Sequence, residues 1–181
     1  DEVEDAVEKL KRLVDELERL LREAVRRIEK ILEDSTRKVR KNLEENKELV
    51  KRLRELIKNG VPEDSVRKVL RESKESLRRS EETSKETLER IKRLLDEVRE
   101  LVERVKRELD RLLRELEKRI KDKDLLRKVA EVVRRLEEEI RRLLEEAKRV
   151  VDEVIKKDRT VMERNREEVE RLIREIEETA R

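Results

Sequence analysis

The sequence has no cysteine, no histidine and no aromatic residue, and only one glycine, one proline and one methionine among 181 residues. Without cysteine there is no disulfide, thiol nucleophile or zinc-thiolate site, and no basis for inferring a redox compartment. Without histidine there is no imidazole acid or base and no Ser-His pairing, and the commonest transition-metal ligand is missing. A phosphate-cradling loop needs several glycines, and Gly60 stands alone. There is no run of about 18 apolar residues to span a bilayer and no signal-peptide pattern at the start. These absences lead to the expectation of no enzyme activity, no catalytic residue, no metal and no cofactor, in a soluble chain without a targeting signal.

A charge excess is lacking as well. Basic residues number 53 and acidic residues 50, and each third of the chain balances the two signs closely. Neither a basic arm nor an acidic tail exists, and the base-stacking aromatics of a single-strand binder are missing. No nucleic-acid partner and no membrane partner is expected.

Charged residues make up 57% of the chain and hydrophobic ones 34%, a composition that without periodicity would mean disorder. The apolar residues are patterned, however. Val3, Ala6, Val7, Leu10, Leu13, Val14 and Leu17 open a stripe at spacings of three and four, the mark of an amphipathic helix. The stripe drifts by about one heptad position over roughly four heptads, as a nearly straight α-helix would make it drift.

Two interruptions divide the chain. At residues 59–62 stands "NGVP": Gly60 suits the left-handed position just past a helix end, and Pro62 the first turn of the next helix. The second stripe, through Val66, Leu70, Leu77, Ile91 and Leu94 to Ile120, gives way at "KDKD" to a new phase starting at Leu125 and Leu126. Asp122 or Asp124 is the candidate N-cap there. The spacing predicts helices over about 2–59, 62–121 and 124–180. With short connections these make an all-α, up-down-up antiparallel three-helix bundle of long, nearly straight helices, in a single domain over 1–181. The rival, one unbroken helix from 63 to 180, needs other chains to cover it.

Polar residues occupy core phases of all three helices: Ser35, Thr36, Asn42 and Asn46 in the first; Ser73, Ser76, Ser80, Thr83, Ser84 and Thr87 in the second; Asp158 and Asn165 in the third. Folding the chain at the two interruptions sets Asn46 level with Ser76, and Asn42 level with Ser80 and Asn165. It sets Ser35 and Thr36 level with Ser84, Thr87 and Asp158. A buried polar group left unpaired costs about 1–3 kcal/mol, whereas a satisfied one is nearly neutral. Mispairing many such groups would cost on the order of 10 kcal/mol, as much as the stability of a whole domain. The expected role of these residues is a structural polar network that penalises wrong registers. A serine or threonine can also satisfy itself by bonding the carbonyl one turn back.

The polar layers, the Leu/Ile/Val core, the surface of Glu mixed with Lys or Arg, and the economical "NGVPED" turn together resemble a de novo designed helical bundle with buried hydrogen-bond networks. Idealised helices, satisfied polar networks and mixed-charge surfaces are the habits of such designs. The resemblance implies a structural scaffold with no natural biochemical activity and no required partner. The alternative is a helical binding module that completes a larger bundle with a partner helix or by self-association.

Overall fold

In the computed structural model, which describes residues 2–60 and 63–179, the chain forms three helices: α1 (Glu2–Lys58), α2 (Glu63–Arg119) and α3 (Lys123–Thr179). Each is 57 residues long. No glycine or proline falls within any of the three, so nothing interrupts the backbone ladder of N–H to C=O bonds.

The ends have local causes. Beyond α1, Gly60 takes φ +79°, a left-handed conformation that residues with a Cβ resist, and its N–H bonds the Ile57 carbonyl at 3.1 Å. Acidic Glu63 and Asp64 occupy the first turn of α2 and basic Lys118 and Arg119 its last, both favourable to the helix dipole. Of the two candidate caps at the second turn, Asp122 acts: its Oδ1 accepts from the Asp124 N–H at 3.0 Å. The expectation that Pro62 opens α2 falls outside the described residues, as does an end of α3 at residue 180.

The chain divides into two compact units, each containing a segment of every helix. The first joins the N-terminal part of α1, up to Ile28, with Lys92–Asp152 of α2 and α3. The second joins Glu29–Ile91 with α3 from Glu153 onward. The start of α1 thus packs with the end of α2 and the start of α3, which is the up-down-up order.

The first unit has an aliphatic core. Leu10, Val14, Leu17 and Leu21 of α1 meet Val102, Val105, Leu109 and Leu112 of α2 and Val133, Leu136 and Ile140 of α3. These recur at three and four residues, so each helix turns one seam inward. A second cluster, Leu116, Ile120 and Val129, packs with half-buried Val3, Val7 and Leu125.

In the second unit Val50, Leu53, Val66, Leu172 and Ile176 form an aliphatic cluster, and Val39, Ile91, Val154 and Val169 are buried as well. Between Val66 and Ile91, every fully buried side chain of α2 is a hydroxyl: Ser73, Ser76, Ser80 and Thr87. Leu70 and Leu77, placed on the buried stripe by the sequence pattern, are only half-buried. The serines have taken the innermost heptad positions, and the leucines flank them.

Candidate functional site

The polar layer of the second unit is the chain's candidate site. On α1, Ser35 and Asn46 are buried, and Thr36 and Asn42 half-buried. On α2, Ser73, Ser76, Ser80 and Thr87 are buried, and Thr83 and Ser84 half-buried. On α3, Asp158 and Asn165 are both 2% exposed.

Two hydrogen bonds join different helices within this layer. Asn42 Nδ2 donates to Ser80 Oγ at 3.2 Å, linking α1 to α2. Ser84 Oγ donates to Asp158 Oδ2 at 2.8 Å, linking α2 to α3. Both pairs lie at the heights that folding at the two turns assigns them. Two threonines turn inward on their own helix instead: Thr83 Oγ1 donates to the Arg79 carbonyl at 2.9 Å, and Thr87 Oγ1 to the Thr83 carbonyl at 2.8 Å. Such back-bonding satisfies the hydroxyl and carries no information about the neighbouring helix.

Other members are brought into the layer without a bond. Ser35 Oγ, Ser73 Oγ, Asn46 Nδ2 and both amide atoms of Asn165 are buried with no hydrogen-bond partner. Asn165 therefore does not join Ser80, although it was expected level with it. A made bond contributes about 1 kcal/mol net and an unpaired buried atom costs about 1–3 kcal/mol. By those magnitudes the layer lowers stability relative to an aliphatic one.

Asp158 is the carboxylate that burial perturbs. Burial raises its carboxyl pKa above the usual aspartate value, and the Ser84 and Ser35 hydroxyls hold the rise in check. Ser35 stands close enough to favour the charged form, yet its Oγ completes no hydrogen bond.

Ion pairs between helices flank the layer, and sequence reasoning had not identified them. Lys47 Nζ of α1 lies 3.2 Å from Glu168 Oε2 of α3, and one heptad further Arg54 meets Glu175. Arg166 Nε of α3 donates to Glu81 Oε1 of α2 at 3.2 Å. The bonded and charge contacts with Glu168 hold the Lys47 ammonium above its ordinary pKa. In a chain where more than half the residues are charged, the only usable signal was the equal spacing of Lys47 to Arg54 and of Glu168 to Glu175.

Open grooves run along the surface of each unit. In the first, a cleft of about 420 Å³ between α1 and α3 has a floor of Leu21, Val25, Leu143, Ala147 and Val150. In the second, a cleft of about 350 Å³ between α2 and α3 is lined by Glu81, Ser84, Arg159, Met162, Glu163 and Arg166. Among the described residues there is no group of His, Cys, Asp or Glu side chains that could hold a metal ion, and no helix long and apolar enough to cross a membrane.

No protein-family model matches the chain, and no curated protein matches it. A solved structure described as a computationally designed three-helix bundle is similar to it, with a TM-score of 0.58 and 23% identity over 99% of this chain and 90% of that one. At that identity the likeness carries the fold, and the fold is a three-helix bundle.

Proposed function

We propose that the chain is a designed structural scaffold: a single helical-bundle domain without enzymatic activity or required partner, whose polar layer specifies one packing of its helices. The observation that carries this reading is the pairing of Asn42 with Ser80 and of Ser84 with Asp158 across three helices, at positions where aliphatic side chains would bury more favourably. A layer that lowers stability yet links helices at defined heights suits specification of register. The similar solved structure, itself described as computationally designed, supports the same reading. So does a core of leucine, isoleucine and valine with no aromatic residue.

The second reading, a binding module completed by a further helix or by self-association, is favoured by the apolar floor of the cleft between α1 and α3 in the first unit. Light scattering coupled to size-exclusion chromatography separates the two. The scaffold reading predicts a mass of 22.1 kDa that does not change with loading concentration. A dimer or trimer that grows with concentration overturns it in favour of self-association.

A further inference from the structure

Among the described residues, Asp158 is the only ionisable side chain that is buried. No charged group compensates it. From α2 it faces Ser84, which donates to Oδ2 at 2.8 Å, and from α1 it faces Ser35. No lysine, arginine or second carboxylate contributes to its titration. Glu81, Arg159, Glu163 and Arg166 line the same open cleft of the second unit as Ser84, and Arg166 is paired with Glu81.

A carboxylate removed from water and left without a counter-charge is relieved most simply by taking up a proton. The two hydroxyls facing Asp158 favour the charged form but bring no counter-charge, so burial prevails. Ser84 donates to one carboxyl oxygen, a bond that the protonated acid can keep. The open cleft lined by Ser84 brings solvent to the residue that bonds the carboxyl. We propose that Asp158 is a proton-operated latch: uptake of one proton from solvent neutralises the buried carboxylate while Ser84 keeps its hold on it, removing an uncompensated charge from among the helices and tightening the second unit in acid.

The sign follows from linkage. A group whose pKa is raised by folding contributes stability that is fully present below the ordinary aspartate pKa and is lost as pH rises through the folded value. The latch therefore loosens toward neutral and alkaline pH, opposite to the usual acid-labile carboxylate.

The test compares urea unfolding of the full chain and of Asp158→Asn from about pH 3.5 to about pH 8. Asparagine mimics the neutral acid, and all exposed carboxylates are common to both proteins. The variant should have the higher unfolding midpoint at the alkaline end, and the two midpoints should converge in acid. A gap that stays constant with pH, or widens in acid, overturns the latch. Carbon-13 NMR of the Asp158 carboxyl in the unmodified chain gives a direct readout even where the variant does not fold. Its titration midpoint should lie above the ordinary aspartate range and rise further in Ser35→Ala, which removes a hydroxyl that favours the charged form. A midpoint within or below the ordinary range, or one that falls in Ser35→Ala, overturns the proposal.

Discussion

Asn42 of α1 and Ser80 of α2 are joined by a hydrogen bond of 3.2 Å from the amide Nδ2 to the hydroxyl, between residues 38 apart in sequence. Ser80 is fully buried and Asn42 half-buried, so the bond sits at the inner margin of the second unit's core. Ser80→Ala should cost about 1 kcal/mol, the lower end for an orphaned donor, because Asn42 retains some access to water. Adding Asn42→Leu should recover that loss. A double-mutant cycle by urea unfolding checks this, with a coupling energy clearly different from zero as the expected outcome.

Asn165 is the reverse case. It is 2% exposed and neither amide atom has a partner. Asn165→Leu, with the same branched arrangement of side-chain heavy atoms, should raise stability by about 1–3 kcal/mol, read as a higher urea midpoint with an unchanged slope.

Burial alone does not set the cost of truncation, and two residues with the same exposure show why. Leu109 and Ser73 are both 0% exposed. Leu109→Ala removes packed methyl groups from the first unit and should cost about 2–5 kcal/mol. Ser73→Ala removes an unpartnered hydroxyl and should be neutral or stabilising. Thermal unfolding of the two variants, side by side, checks the contrast.

The turns should respond through backbone and capping effects. At Gly60 a Cβ would meet no atom within 4 Å, so Gly60→Ala should cost about 1 kcal/mol from the positive φ alone. Asp122→Ala should cost about 1 kcal/mol by releasing the Asp124 N–H at the start of α3. Unfolding midpoints of the single variants test both.

The ion pair of Lys47 with Glu168 should contribute little, since its side chains are 41% and 38% exposed. Glu168→Gln should change stability by less than about 1 kcal/mol, and the difference should shrink further near 1 M salt.

Much of this fold was legible because the sequence carries it redundantly. The apolar stripe names the helices, and Gly60 and the charged "KDKD" stretch mark where they stop. Those turns in turn set the heights at which Asn42 meets Ser80 and Ser84 meets Asp158. The stripe was less informative about depth: Leu77 and Ser76 are adjacent on it, and the serine is the deeper of the two. Height does not decide which rotamer completes a bond, so Asn165 could be placed in the layer but not paired. Surface charges offer each lysine or arginine several partners at similar energy, and Lys47 with Glu168 was hidden for that reason.

The central claim, that the polar layer specifies a single packing, is tested most directly by methyl NMR of the variant carrying Asn42→Leu, Asn46→Leu and Ser80→Ala together, beside the unmodified chain. The unmodified chain should give one sharp resonance per methyl group. The variant should be at least as stable to heat, yet show multiple or exchange-broadened methyl resonances as registers become nearly equal in energy. A variant that keeps one sharp resonance per methyl group, with its packing unchanged, would contradict the account.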